Sequence, residues 1–365
     1  MTKSLKTWGF FGLLTLFTAW WAARQISFEE VWLTLSQISL GQIALLITLN
    51  IAIVLLFSSR WWLILKASGR QVPYLTLAGY RLAAFAVSYF TPGTQFGGEP
   101  LQVHLLSKKH QIPPSLALAS VALDKLFELL ANFTFLSLGI ILIIANRISF
   151  AGSTSQGWLI GLNNLHAILW ISFTIVVPVL YLFLLRQGRF PLARLSSRLP
   201  NFLLKRRHFQ NLPAFMASTE RQISTLFRHA PGAIWASSFL SGLIWLLLLA
   251  EFWLMIHLLG ANLTITQLIT AVTAARLAFL TPLPGGAGVL EASQILAMQA
   301  LGYSPALGIS ISLLIRARDI SLGLFGLWLG AVLTRKSPSA VHETEQVETI
   351  PGTPGSYPLQ PIKEV

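Results

Sequence analysis

The sequence predicts an all-α membrane protein that crosses the bilayer several times. Of its 365 residues, 54% are hydrophobic and only 11% are charged, whereas a soluble domain has about 25% charged residues. The apolar residues form runs of about 16 to 22 residues, which is the length of a membrane-spanning helix. Two further apolar segments are interrupted by Pro and Gly and resemble each other. Together these features predict a polytopic helical protein built on an inverted-topology repeat.

Six continuous apolar segments predict full spans: residues 8–23, 43–62, 126–145, 165–185, 234–259 and 320–333. Segments 73–106 and 267–301 are apolar enough to enter the bilayer, but a Pro and Gly cluster breaks each in the middle. Because such clusters interrupt a continuous helix, each segment is either a re-entrant hairpin or a pair of short spans. We expect about six full spans with two hairpins, or eight to ten spans.

The basic residues indicate the orientation. Nine Lys or Arg lie between Arg186 and Arg228, against the single acid Glu220. The positive-inside rule places this basic loop, residues 186–229, on the cytoplasmic side, together with Arg60 and both termini. Its apolar residues suit surface helices on an anionic leaflet, although a plain loop explains them equally well. Because the excess positive charge is concentrated in this one loop, it gives no reason to expect a nucleic-acid partner.

The chain divides into a transmembrane region and a tail. Residues 1–335 form the transmembrane domain, in the cytoplasmic membrane, and the bulky Trp20 and Trp21 favour a retained first helix over a cleaved signal. Residues 336–365 are rich in Pro, Ser, Thr and Glu. We expect this last segment to be a disordered cytoplasmic tail.

The two broken segments share an order of residues that predicts a repeat. Each has Arg-Leu-Ala, then Thr-Pro, a Gly pair, a Glu, and a Pro that opens another helix. These residues are Arg81, Thr91, Gly97, Gly98, Glu99 and Pro114 in the first copy, and Arg276, Thr281, Gly285, Gly286, Glu291 and Pro305 in the second. The copies cover about residues 73–145 and 267–333. Because three spans separate them, an odd number, the second copy is expected to be inverted.

Charges inside apolar helices are candidates for function, since one at the bilayer centre costs about 2.5–3.5 kcal/mol. Arg81 and Arg276 each precede a Gly-rich break, where either could bind a phosphate. Glu99 and Glu291 either cap the next helix or carry a proton. A candidate intramembrane charge network comprises Asp124, Lys125, Glu128, Arg316, Arg318 and Asp319. For this network, simple pairing between helices is an equal alternative.

Other chemistry finds little support in the sequence. The chain has no Cys, so thiolate metal sites and thiol nucleophiles are excluded. Its seven His form no metal-binding pattern, and neither Gly cluster has the spacing of a nucleotide loop. A proton relay through His257 and Glu251 is disfavoured, because six residues place them on different helix faces. We expect no cofactor and no metal.

The paired motifs TPGTQFGGEP at 91–100 and TPLPGGAGVLE at 281–291 resemble those of the lysylphosphatidylglycerol synthase and flippase-like membrane family. The resemblance covers about residues 5–335. It implies an inner-membrane protein that moves a modified phospholipid or a lipid-linked sugar between leaflets. By motif match it implies substrate-binding positions at Arg81, Gly97, Gly98, Glu99, Arg276, Pro284, Gly285, Gly286 and Glu291.

We expect the chain to depart from the full-length synthases of that family, in which a soluble aminoacyl-transferase domain follows the membrane region, since residues 336–365 are expected to be a disordered tail. The leading hypothesis is therefore a non-enzymatic flippase for a phospholipid or a lipid-linked glycan precursor, with membrane lipids as its partners. One alternative is a membrane subunit or enzyme of envelope lipid modification or glycosyl transfer. Another is an anchor for a separate synthase or glycosyltransferase.

Overall fold

The fold of the described residues is entirely helical, which confirms the predicted class. The computed structural model describes residues 29, 36, 38–91, 97–145, 164–198, 211–281 and 283–335. The predicted span 8–23 and tail 336–365 lie outside this part of the chain. The helices are α1 Leu40–Ala67, α2 Tyr74–Phe90, α3 Glu99–His110, α4 Pro114–Ala145, α5 Asn164–Arg186, α6 Pro191–Ser197, α7 Leu212–His229, α8 Pro231–Leu258, α9 Ile265–Phe279, α10 Val289–Ala300 and α11 Pro305–Arg335, with a 3-10 turn at Pro284–Gly286.

Three of these helices, α1, α4 and α8, are long and apolar enough to cross a membrane. They contain the predicted spans 43–62 and 126–145 and all but the last residue of the predicted span 234–259. The end of α5 and the short α6 form a pair bent by 94°. The helices that begin at Pro114 and Pro305 run unbroken for 32 and 31 residues. Each is therefore longer than the predicted span, 126–145 or 320–333, and also contains the charged residues just before that span.

The broken segments form two helical hairpins, α2 with α3 and α9 with α10. In the first, the Gly98 amide donates to Ser88 Oγ at 2.9 Å, and the Tyr80 hydroxyl lies 3.1 Å from His110 Nε2. In the second, Gln294 Nε2 donates to the carbonyl of Ala271 at 3.1 Å. The α3 and α10 legs have 12 residues each, about 18 Å, against a hydrocarbon core of about 30 Å. These lengths correspond to the re-entrant form.

The pairing of α1 with α8 demonstrates the inversion of the repeat. Asn50 and Ser241 each lie ten residues after the start of their helix, and Arg60 and Glu251 each lie twenty after it. Asn50 Nδ2 donates to Glu251 Oε1 at 2.8 Å, and Arg60 Nη1 donates to Ser241 Oγ at 3.0 Å. Equivalent helices thus run antiparallel, and each contact becomes the other when the copies are exchanged. The two copies are therefore oriented oppositely, as predicted from the odd number of spans.

The structure extends the repeat by one helix, because α1 and α8 belong to it. The first copy comprises α1 to α4, with 28, 17, 12 and 32 residues, and the second comprises α8 to α11, with 28, 15, 12 and 31 residues. The long helix of each copy packs on the broken helix of the other, α11 on α2 and α4 on α9. Glycines allow this close approach: a Cβ on Gly326 would lie 2.3 Å from the Leu82 carbonyl oxygen. The two copies are thus interlocked.

Between the copies lie α5, which contains the predicted span 165–185, and α6 and α7, which lie in the predicted basic loop. The apolar face of α7 packs on the bundle, since Ile223 and Leu226 share a core cluster with Leu123 and Leu185. The acid Glu220 is 1% exposed and accepts hydrogen bonds from the amides of Leu192 and Ala193 at 3.0 and 2.9 Å and from Tyr181. It therefore caps the start of α6, whereas Lys205, Arg206 and Arg207 lie outside the described residues.

Candidate functional site

A cavity of about 240 Å³ lies between the two copies. Its wall contains residues from both hairpins and from α1, α4, α8 and α11. The ionisable Arg, Lys, Asp and Glu residues in this wall are Arg81, Glu99, Asp124, Lys125, Glu128, Glu251, Arg276, Arg318 and Asp319. Much of the remaining lining is apolar, including Phe57, Phe85 and Leu322. The cavity is therefore an apolar chamber in which a few charges are concentrated.

In the first copy, Arg81 joins α2 to α4 across the cavity. Its Nη1 lies 2.5 Å from Asp124 Oδ2, and its Nη2 lies 3.0 Å from Glu128 Oε2. The other oxygen of Asp124 binds Arg60 Nε at 2.7 Å. Arg81 also lies over the ring of Phe57, with its guanidinium carbon 4.7 Å from the centroid. These contacts leave Arg81 with two carboxylates and an aromatic ring.

Arg60 was predicted to belong to the basic residues of the cytoplasmic side, but it is buried among helices and not exposed in a loop. Its side chain is 1% exposed and lies within α1. It pairs with Asp124 because both would otherwise be uncompensated charges in an apolar surrounding. Arg60 lies inside the predicted span 43–62, and that position was the signal that it belongs to the intramembrane network.

The glutamate after each Gly pair binds a cation of the long helix. Lys125 Nζ lies 3.4 Å from Glu99 Oε1, and Arg316 Nε lies 2.7 Å from Glu291 Oε1. Lys125 and Arg316 each lie eleven residues after the proline that begins the helix, so the two ion pairs are equivalent. The α3 and α10 helices begin without a side-chain hydrogen bond from their N-cap residues, Gly98 and Gly288.

These ion pairs also hold the glycine turns. The Gly97 amide donates to Glu99 Oε2 at 2.8 Å. In the second copy, Arg316 Nη1 donates to the carbonyl of Gly285 at 2.7 Å. Glu99 and Arg316 therefore stabilise the breaks in the helices.

In the second copy, the arginine of the Arg-Leu-Ala motif, Arg276, has no ion-pair partner among the described residues. Glu251, which is 1% exposed, binds Arg318 Nη1 at 2.8 Å, and Arg318 Nε binds Asp319 at 2.8 Å. Within the described part of the chain, Arg276 has neither a hydrogen bond nor an ion pair from its side chain. Its guanidinium carbon lies 4.9 Å from the ring centroid of Trp245. Among the cations of the cavity wall, Arg276 is the one that has no carboxylate oxygen of the described residues within 4.0 Å.

Comparison with known proteins gives the family. Residues 10–326 match the family described as Lysylphosphatidylglycerol synthase TM region. The chain belongs to this family. It is a multi-pass membrane protein, and the family points to a role connected with membrane lipids.

Relatives of this family member include archaeal proteins named UPF0104 membrane protein. One, from Pyrococcus horikoshii, is 22% identical over 344 residues, which cover 89% of this chain and 94% of the relative. Another, from Methanothermobacter thermautotrophicus, is 24% identical over 267 residues, covering 71% and 75%. A third, from Methanocaldococcus jannaschii, is 29% identical over 93 residues, covering 26% and 27%. No solved structure matches the chain.

The family member's predicted site residues fall into two groups. The cavity wall contains Arg81, Gly98, Glu99, Arg276, Gly285 and Gly286, together with Asp124, Lys125, Glu128, Arg318 and Asp319 of the predicted network. Outside the wall are Gly97, Pro284, Glu291 and Arg316: Gly97 lies next to Gly98, Pro284 begins the 3-10 turn, and Glu291 with Arg316 supports that turn. Residue patterns did not point to Asn50 or Phe57, because a single uncharged polar or aromatic residue in an apolar helix carries no local signal.

Gly98 is expected to be essential for the first hairpin. A Cβ at this position would lie 2.0 Å from the Ala84 carbonyl oxygen, which cannot move without shifting α2. We expect Gly98→Ala to lower the free energy of unfolding by about 1–3 kcal/mol or more, measured by thermal unfolding in detergent. Gly242→Ala is the matched control, because nothing lies within 4 Å of its Cβ and alanine favours a helix. Equal stability of the two variants would contradict the close packing.

Proposed function

We propose that the protein translocates a phospholipid or a lipid-linked glycan precursor between the leaflets of the cytoplasmic membrane. The observation that carries this proposal is the free guanidinium of Arg276 in the cavity between two inverted copies. A phosphate is the anion that a guanidinium binds best, through two parallel hydrogen bonds. Inverted repeats with broken helices around a central site are the architecture of many transporters.

The shape of the site also supports a lipid. Phosphate is the part of a phospholipid that requires a charged partner, and the cavity of about 240 Å³ offers Arg276 for it. The apolar lining includes Phe57, Phe85 and Leu322, which suits the apolar portion of the molecule near the headgroup. In this proposal the basic loop and both termini face the cytoplasm, where basic residues meet anionic lipids.

The ion pairs favour transport over catalysis. Each carboxylate in the cavity wall has a cationic partner within 3.4 Å: Glu99, Asp124, Glu128, Glu251 and Asp319. A general base must reach the proton that it abstracts, and these carboxylates are held by arginine or lysine instead. We therefore propose that the chain performs no covalent chemistry on the lipid.

The test is lipid movement in proteoliposomes. Purified protein is reconstituted with headgroup-labelled phosphatidylglycerol in one sample and with a labelled polyprenyl-phosphate lipid in another, and bleaching by an impermeant reductant reports the outer leaflet. We expect at least one lipid to cross faster than in protein-free vesicles. If neither lipid crosses faster, the proposal fails. Mass spectrometry of the same vesicles tests the enzymatic alternative, which requires a covalently altered lipid.

A further inference from the structure

The two copies differ in the contacts of the arginine of the Arg-Leu-Ala motif, which is Arg81 in the first copy and Arg276 in the second. Arg81 of the first copy contacts both Asp124 and Glu128, whereas Arg276 of the second contacts no carboxylate of the described residues. Asp319, the aspartate of the second copy, already binds another arginine: its Oδ1 lies 2.8 Å from Arg318 Nε. An inverted repeat whose copies are equivalent in fold is thus unequal in its ion pairs.

Arg276 and Asp319 have the same sequence spacing as Arg81 and Asp124, although by position from the start of its helix Asp319 corresponds to Glu128. Arg81 and Asp124 are 43 residues apart, and so are Arg276 and Asp319. The starts of α2 and α9 differ by 191 positions, as do those of α4 and α11, but both second-copy residues are displaced by 195. The extra four residues are about one helical turn, which keeps a side chain on nearly the same face. Because the shift is equal in both helices, the arginine and the aspartate keep their relative register.

One difference makes the pairing in the second copy weaker. Glu128 lies 47 residues after Arg81, and the residue 47 after Arg276 is Gly323. The first copy can therefore hold its arginine with two carboxylates, and the second with one. In the absence of lipid, the arrangement with Arg81 bound and Arg276 free is the more stable of the two.

We propose that the copies exchange these arrangements during translocation, which makes Arg81 the phosphate-binding residue of the opposite-facing state. This inference rests on the proposed function. In the state described, Arg276 receives the phosphate while Asp124 and Glu128 hold Arg81. In the opposite-facing state, Asp319 leaves Arg318 and holds Arg276, and Arg81 is released to the cavity, whose wall already contains both arginines. The phosphate passes from one guanidinium to the other.

Physical reasoning supports the exchange. Inverted repeats achieve alternating access when each copy adopts the conformation of the other. Since one arginine is bound whenever the other is free, the number of buried charges without a partner stays constant. The two states therefore differ by the contact of one carboxylate, that of Glu128, and not by an additional unpaired buried charge, which keeps both states accessible.

The test uses the absence of cysteine from the chain. A single reporter, Leu322→Cys in the cavity wall, is labelled with an impermeant maleimide from either side of proteoliposomes of known orientation. The measured quantity is the ratio of the two labelling rates. Leu248→Cys, also in the wall, is the second reporter if the first variant does not fold.

Two variants should shift this ratio in opposite directions. Glu128→Gln loosens Arg81 and should move the ratio toward the side opposite to that of the native protein by roughly fivefold or more. Asp319→Asn removes the partner of Arg276 in the opposite-facing state and should move the ratio the other way. Glu220→Gln, which alters a buried carboxylate outside the cavity, should leave it unchanged.

The exchange is overturned if Glu128→Gln and Asp319→Asn shift the ratio in the same direction or not at all. Labelling does not depend on lipid movement, so the two proposals can fail separately. Opposite shifts without lipid movement would keep the exchange and remove the lipid as cargo. Lipid movement without opposite shifts would keep the proposed function and remove the exchange.

Discussion

Replacing Asp124 with alanine is expected to lower the free energy of unfolding by about 3–5 kcal/mol, the cost of leaving a buried charge without its partner. Asp124 is 5% exposed, and its two oxygens bind two arginines of different helices, Arg60 of α1 and Arg81 of α2. Without the carboxylate, Arg60 at 1% exposure keeps a neutral hydrogen bond to Ser241, and the nearest carboxylate left to it is that of Glu128 at 3.8 Å. The midpoint of thermal unfolding in detergent measures the loss.

Asp124→Asn is the control for this prediction. Asparagine keeps the shape and one oxygen that accepts a hydrogen bond, so the loss should be smaller than for alanine. Glu99→Gln should also cost less, because the Glu99 side chain is 23% exposed and its ion pair is 3.4 Å long. If Asp124→Ala has the same unfolding midpoint as the native protein, the two arginines must bind other partners or water, and the prediction is wrong.

The second large effect is expected for Arg276→Gln, which should slow lipid translocation by roughly 10- to 100-fold. This range corresponds to the loss of hydrogen bonds to a charged group, about 1.5–3 kcal/mol. Because Arg276 forms no ion pair with the described residues, removing its charge should not destabilise the protein. A buried charge without a partner is unfavourable. The variant should therefore have the same unfolding midpoint as the native protein, or a slightly higher one.

The proteoliposome assay and thermal unfolding together test this combination. Arg276→Lys keeps the charge but cannot bind phosphate through two parallel bonds, and it should retain intermediate activity. Arg228→Gln is the matched control, since Arg228 lies outside the cavity and donates to the carbonyl of Arg186. If Arg276→Gln translocates lipid at the rate of the native protein, the phosphate binds elsewhere in the cavity.

The repeat and most of the cavity wall were predictable because they depend on local signals. Thr-Pro and Gly-Gly mark a break in an apolar helix wherever they occur, so the positions of Gly98 and Gly285 follow from the residues themselves. The inversion followed from counting spans. These features need no knowledge of which helices touch.

The local pairs Lys125–Glu128 and Arg318–Asp319 follow from opposite charges close in sequence, but the ion pairs between residues far apart in the chain were not predictable. Glu251 of α8 meets Arg318 of α11, and Arg60 of α1 meets Asp124 of α4. The motifs presented Arg81 and Arg276 as equivalent, yet only one of them is free. That difference depends on Arg318 binding Asp319 and on Glu128 giving Arg81 a second carboxylate, and no local pattern reveals these contacts. The role of Glu220 was hidden for the same reason, since its partners lie in α5 and α6.

The interlocked packing has a consequence for how the protein is made. The helix that covers α2 is α11, which a ribosome synthesises more than two hundred residues later. Until then, the small residues of α2 that receive Gly326 and Gly330 have no protein neighbour on that side. Membrane insertion of the first copy therefore precedes its final packing, and assembly ends when the last described helix enters the bundle.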